Sequence, residues 1–181
     1  WIVGDDEEVI VIDPAHDADA VMRAVGSRRV AAVLLTHGHW DHVRAAPRFA
    51  ELSGVTPHLA AEDDFLWRQS NGDAVYLPLE DGAEFALAGG SLVARRTPGH
   101  TPGSTSYWLA SLRTVFTGDT LFEGGPGATR WEYSSFDRII ASITGRLFPL
   151  GDETVVNTGH GPSTSIGAER AQLQDWLDRG W

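Results

Sequence analysis

The chain has 181 residues, 42% hydrophobic and 22% charged, with 14 basic against 25 acidic side chains, a net charge of −11 and no cysteine. That length is one domain's worth and enough to bury a core without staples; the missing cysteines exclude disulfides and thiolate metal ligands, and fit a reducing cytoplasm as the expected compartment. The acidic balance argues against nucleic acid, whose phosphates call for clustered Lys and Arg, and no apolar run approaches the roughly 18 residues of a membrane span, so a small molecule is the expected partner.

Apolar runs over residues 1–4 and 9–12 read as strands, the pattern over 18–25 as a helix, and the run over 30–35 as a strand followed by a helix, an α/β rhythm. Trp1 already falls in a strand, which leaves room for a removed N-terminal segment. The strand over 30–35 runs straight into Thr36-His37-Gly38-His39-Trp40-Asp41-His42. Four potential ligands thus leave the end of a buried strand together, a poor place for idle polar groups. His37 and His39, two apart, can project from one side of an extended segment, while Asp41 and His42 fall where a helix begins and can point elsewhere. One loop can therefore serve two metals. Imidazole and carboxylate suit zinc, and also iron or manganese, and a hydrolytic centre needs several such ligands converging on an open position for water.

Residues 85–117 turn to short β-rich runs punctuated by Gly-Gly and Pro-Gly turns. His100 lies there, in Thr97-Pro98-Gly99-His100-Thr101-Pro102-Gly103, and Tyr107 in the strand over 106–109 reads as core. A strand over 115–117 leads into Thr117-Gly118-Asp119-Thr120, followed by the turn-rich stretch 124–129. Next come Arg130, Trp131 and Tyr133, readable as a solvated arginine beside packed aromatics or as a substrate-carboxylate anchor beside an apolar wall. A helix over 136–147, a strand over 154–157, Thr158-Gly159-His160-Gly161-Pro162, and a closing helix over 168–177 with Leu173, Trp176 and Leu177 on one side complete the chain. Each half runs from strands into helices, which suggests two packed sheets with helices outside. Singly these His and Asp residues are ordinary turn residues. Five of the seven histidines lie in these contexts, however, and together they specify a metal centre. His16 reads as a helix-entry residue and His58 as an ordinary strand residue. Asp13 and Thr36 are candidates for holding the ligands in place or for plain strand-end roles.

These motifs resemble the metallo-β-lactamase superfamily, whose signature is His-x-His-x-Asp-His followed by a later His, Asp and His, and in particular its short glyoxalase II (hydroxyacylglutathione hydrolase) type members. The likeness runs from Ile12-Asp13-Pro14 to Gly159-His160-Gly161-Pro162. It implies an α/β fold, the αββα four-layer sandwich, as a single domain over 1–181. It further implies two divalent metal ions, zinc first with iron or manganese as alternatives. His37, His39 and His100 would hold one ion, Asp41, His42 and His160 the other, with Asp119 bridging. A water shared by two cations loses its proton near neutral pH and gives a hydroxide aimed at a carbonyl carbon. Asp41, which could orient that hydroxide, and Asp119 are then the catalytic carboxylates, and an acyl thioester with its thiolate leaving group is the natural substrate. A carboxylate at 119 is the glyoxalase II pattern, where lactamases of the superfamily carry Cys or Ser. The alternatives that the resemblance brings are a mononuclear iron persulfide dioxygenase and, below it, a β-lactam hydrolase. The stretch from Gly127 to Tyr133 departs from the Gly-Arg-Ser-Asp type sequence of the short relatives, which leaves the carrier thiol open. Phe65, Trp67 and Tyr76 lie where the superfamily has a flap over its site, and are candidates for substrate contact or for simple packing.

Overall fold

The computed structural model describes residues 1–87 and 89–180. Side-chain alternation within the strands decides its layers. In β2 (Glu8–Ile12), Val9 and Val11 face one way, Ile10 and Ile12 the other, and all four are buried. A strand that is apolar on both faces needs cover on both. On one side Val9 and Val11, with Val30 and Val33 of β3 (Arg29–Leu34), meet Ala18 and Val25 of α1 (Ala18–Val25) and Phe49 of α3 (Ala46–Ser53). On the other, Ile10, Ile12 and Leu34 pack against Leu92, Tyr107 and Phe116, which come from β7 (Gly90–Arg96), β8 (Thr105–Leu109) and β9 (Thr114–Gly118) of a second sheet. The far face of that sheet, through Val115 and Val156 of β12 (Val155–Thr158), is covered by Ile139 of α5 (Phe136–Ser142), Ile166 of α6 (Ile166–Arg170) and Trp176 of α7 (Leu173–Arg179). The result is the expected αββα sandwich.

The first sheet has the order β1-β2-β3-β4-β5, with β1 (Ile2–Gly4) antiparallel to β2 and the pairs onward to β4 (Pro57–Leu59) and β5 (Leu77–Pro78) parallel. The second runs β13-β12-β9-β8-β7-β6, with β6 (Glu84–Leu87) and β13 (Thr164–Ser165) at its edges and β9 and β12 parallel to one another. The turn-rich stretch after Asp119 forms a small hairpin of β10 (Leu121–Phe122) and β11 (Gly125–Pro126). Two shorter elements border the strand ends, α2 (Trp40–Val43) and α4 (Asp64–Asn71). Among the described residues no helix is long and apolar enough to cross a membrane.

Two helical expectations change in detail. The helix over 136–147 is α5 continued by a π-helical turn, Ile143–Leu147, in which Ile143 and Leu147 are both buried. The closing helix is split into α6 and α7, because Gln172 N–H donates to Glu169 O at 3.0 Å in a tighter turn. That turn resets the phase: Trp176 is fully buried, while Leu177, expected on the same side, is 45% exposed. Trp67 and Tyr76 stack edge-on at 5.4 Å with Trp67 in the core, which gives them the packing role. Tyr107 is core and donates to Leu35 O at 2.6 Å, and His58 lies in β4 against Phe85.

Two glycines set how closely the strand ends approach. Gly118 (φ 51°) lies where a Cβ would stand 2.4 Å from Thr36 Oγ1, and Gly99 (φ 144°) where a Cβ would stand 2.3 Å from Ile139 N. Both combine a backbone conformation that favours glycine with a contact only glycine permits. The first draws the end of β9 onto the end of β3; the second seats the loop after β7 on the first turn of α5.

Candidate metal centre

The loops that leave β3, β7, β9 and β12 converge where the ends of the two sheets meet, and they bring all seven expected residues together. His37 follows β3, His39 is the residue before α2, and Asp41 and His42 lie within α2, so the short helix turns the second pair away from the first. His100 comes from the loop between β7 and β8, Asp119 directly follows β9, and His160 follows β12. Three ring nitrogens form one group: His39 Nδ1 is 3.1 Å from His37 Nε2 and 3.0 Å from His100 Nε2. A second group joins His160 Nε2 to His42 Nε2 at 3.1 Å and to Asp41 Oδ2 at 3.2 Å. Asp119 stands between them, with Oδ1 3.2 Å from His42 Nε2 and Oδ2 3.6 Å from His100 Nε2 and 3.7 Å from His160 Nε2. His37, His42 and His100 are buried, whereas the His160 side chain is half exposed, so the second group is the more open.

The outward ring atoms decide what the inward ones can do. Asp13 Oδ2 accepts from Thr36 Oγ1 at 2.6 Å, which commits the hydroxyl proton and leaves that oxygen to accept from His37 Nδ1–H at 3.0 Å. His42 Nδ1–H donates to the same Asp13 oxygen at 2.8 Å, and His100 Nδ1–H to Ala128 O at 2.8 Å. His39 uses the opposite atom: its Nε2 is 2.8 Å from the Tyr133 hydroxyl, which leaves Nδ1 facing inward. In their neutral forms these rings turn lone pairs toward one another at hydrogen-bond distance, an arrangement that needs a positive charge between them. Nitrogens around a tetrahedral ion with bonds of about 2.0–2.1 Å would stand about 3.3–3.4 Å apart. Asp119 Oδ1 is buried and faces His42 Nε2 at 3.2 Å without a well-formed hydrogen bond, a condition that a cation between them relieves. On chemistry and spacing, the residues fit two divalent cations. Asp13 itself sits in the left-handed region (φ 49°), strain of about 1 kcal/mol kept where the side chain clamps both Thr36 and His42.

The charges around the rings separate them further. Burial, with neighbouring imidazoles, holds His37 and His100 below the ordinary histidine range and lowers His39 to about 4. For His42 burial is again the largest influence and pulls downward, yet the carboxylates of Asp13 and Asp119 outweigh it and raise the ring to about 10. Asp119 is pushed up by burial but held below the usual carboxylate range by His42, His100 and His160. The pH dependence follows. Below about 10, His42 carries a proton that a cation has to displace, so metal affinity rises with pH and loading releases acid. Adding zinc to weakly buffered protein at pH 8 is expected to release more protons per chain than from the Asp13→Asn variant, in which His42 loses a raising carboxylate. Equal release from the two proteins would show that Asp13 does not set this proton.

A cavity of about 550 Å³ opens beside the first group, lined by Trp40, Leu66, Gln69, Phe122, Arg130, Trp131 and Tyr133 together with His39, Asp41, His100 and Asp119. Trp131 and Tyr133 lie parallel, 6.0 Å apart, with Trp131 4.7 Å from the His39 ring and the Arg130 guanidinium 4.9 Å over Trp131. Phe65, 39% exposed, meets Tyr133 edge-on at 5.2 Å. The same segment also grips the candidate ligands: Ala128 O and Tyr133 OH hold the His100 and His39 rings, and Ser134 Oγ donates to His100 O at 2.7 Å. Sequence reasoning missed Tyr133 as a partner of His39, since the two are 94 positions apart and no local pattern links them. It also missed Asp63, whose carboxylate, buried within the fold, accepts from Gly38 N at 2.8 Å and from Gly103 N at 2.7 Å. His16 stays outside the centre, exposed and 6.0 Å from Trp40.

The profile of the metallo-β-lactamase superfamily matches residues 1–178. The chain is 33% identical over 187 positions to the hydroxyacylglutathione hydrolase GloC of Haemophilus influenzae, covering 93% of this chain and 88% of that protein. Among solved structures it is similar to TTHA1623 in a di-iron-bound form (TM-score 0.82, 30% identity, 94% of this chain and 90% of that one). It is also similar to the BLEG-1 B3 metallo-β-lactamase (TM-score 0.82, 27% identity, with the same coverage of 94% and 90%).

Proposed function

The chain belongs to the metallo-β-lactamase superfamily of metal-dependent hydrolases, and on that premise we propose that it is a dinuclear hydrolase that cleaves an acyl thioester of a small thiol. In this reading His37, His39 and His100 hold one divalent ion, Asp41, His42 and His160 the other, and Asp119 joins them. The observation that carries it is Asp119 itself, a carboxylate with one oxygen toward His42 and the other toward His100 and His160. That is the glyoxalase II pattern and not the Cys or Ser of the lactamases. The similarity to GloC of Haemophilus influenzae points the same way. Zinc suits the mixed imidazole and carboxylate set, and so does iron, the metal of the similar TTHA1623 structure. When bound, the ions supply an acidified water and a Lewis acid for the carbonyl and for the departing thiolate.

The chain's own residues divide the remaining work. Leu66, Trp131 and Tyr133 offer an apolar wall for the acyl group and keep bulk water from it. Arg130, at the same cavity over Trp131, is placed to pair with a carboxylate at the far end of the substrate. Asp41, 3.2 Å from His160 and within the cavity wall, is placed to accept a proton from a water held there. No side-chain nucleophile is needed, and the chain has no cysteine to serve as one.

The test is elemental analysis of protein purified without added metal, paired with assays on a thioester, on a persulfide with oxygen, and on a β-lactam. The expected result is two divalent ions per chain and turnover of the thioester. One iron per chain with oxygen uptake on the persulfide would replace the hydrolase reading by an oxygenase; turnover of the lactam alone would replace the substrate class.

A further inference from the structure

Asp63 is fully buried at the end of a short 3₁₀ turn, Ala61–Asp63, that leads into α4. Its carboxylate accepts three hydrogen bonds from two separate loops. Oδ2 receives Gly38 N–H at 2.8 Å and the Thr101 hydroxyl at 2.7 Å, and Oδ1 receives Gly103 N–H at 2.7 Å. Gly38 is the residue between His37 and His39; Thr101 and Gly103 directly follow His100. The two glycines are what lets the loops come so near. A Cβ on Gly38 would stand 2.8 Å from Leu66 Cβ and 3.0 Å from Asp63 Cβ, and one on Gly103 would stand 2.7 Å from Asp63 Cγ. A buried carboxylate is costly unless its oxygens are satisfied, and charge-assisted bonds of this length are the strong kind.

We propose that Asp63 is the positioning residue of the first metal triad, a strut that fixes the distance between the loop carrying His37 and His39 and the loop carrying His100. It touches none of the three rings. It acts through the backbone on either side of them, and the four bonded or neighbouring residues Gly38, Thr101, Gly103 and Leu66 are its means. Because Leu66 belongs to α4 and lines the cavity, the same strut ties the substrate wall to the metal geometry. Asp63's bonds reach Gly38, Thr101 and Gly103, which flank the first triad, whereas His42 of the second rests on Asp13. The assignment rests on the two-metal reading above.

An amide in place of the carboxylate keeps the shape but offers one acceptor oxygen, so its NH₂ group would confront an N–H or hydroxyl donor and one loop would retreat. The experiment therefore compares Asp63→Asn in two backgrounds, zinc affinity being measured by competition with a chromophoric chelator and folding by thermal melting. In His160→Ala, where only the first triad is complete, Asp63→Asn is expected to weaken zinc by about 10–100-fold, the range for groups that hold metal ligands. In His100→Ala, where only the second is complete, it should change affinity by less than about twofold. A lowered melting temperature with zinc affinity unchanged in His160→Ala would reduce Asp63 to a packing role and overturn the proposal, as would equal weakening in both backgrounds. Thr101→Val, which removes one donor and leaves the charge, covers the case in which Asp63→Asn does not fold. It should weaken zinc in the His160→Ala background only, by a smaller factor, and no change there would overturn the proposal. If the parent protein itself binds no zinc, it is the two-metal reading that falls.

Discussion

Replacing Asp119 by alanine is expected to lower turnover by at least about 100-fold, since even the partners of metal ligands are worth 10–100-fold and this carboxylate faces both triads itself. The argument starts from charge. Five imidazoles meet in one centre with two carboxylates, Asp41 and Asp119, and Asp119 is the more enclosed, its side chain 12% exposed against 27%. Without it the two cations would repel across a site that keeps a single negative group. Metal content is therefore expected to fall from two ions per chain to one or none. The fold should tolerate the change, because both carboxylate oxygens face the imidazoles of the site. Asp119→Asn gives a second reading, since it keeps the volume and removes only the charge. Full turnover with two ions retained in either variant would show that Asp119 is not the common ligand.

Stripping the metal is expected to abolish turnover and to lower thermal stability together, with both restored by adding back zinc, iron(II) or manganese(II). The size of the stability change follows from linkage. Each ion present at 100 times its dissociation constant adds about 2.7 kcal/mol, which for a chain of this length corresponds to a melting shift of about 5–10 °C per ion. The candidate ligands come from loops on both sheets, so removing the ions releases a tie across the end of the sandwich and leaves its three apolar layers in place. Comparing the three metals at equal loading ranks them by turnover, the quantity that selects the working ion. Unchanged turnover and melting in protein shown by elemental analysis to be stripped would contradict the metal reading outright.

Much of this was legible in the sequence because the chemistry is concentrated at strand ends. Val9 to Ile12 and Val30 to Leu34 are apolar on every position, which requires cover on both faces and so a buried sheet, and the His and Asp motifs begin where such runs stop. What local patterns could not show is contact between distant segments. Asp63 stands in an Ala-Glu-Asp-Asp run that reads as a solvated acidic turn, and its neighbour Asp64 is just that, paired with Arg68 at 2.7 Å. One position of phase separates a surface charge from a buried strut, and only the folding of residues 25 and 40 places away onto it reveals the difference. Tyr133 was visible as an aromatic wall but not as the partner of His39, for the same reason. The break between α6 and α7, beyond which Trp176 is buried in the core, is likewise not encoded in helical periodicity.

The segment from Ala128 to Ser134 faces two ways, toward the cavity through Arg130, Trp131 and Tyr133 and toward His39 and His100 through hydrogen bonds. Thermodynamic reciprocity then applies to it: to whatever extent the ions sharpen the grip on a substrate, the substrate tightens the grip on the ions by the same factor. On the proposed function, a substitution at Arg130, Trp131 or Tyr133 that weakens substrate binding is therefore expected to reduce the extra metal retention that substrate confers, which zinc titration with and without substrate would read.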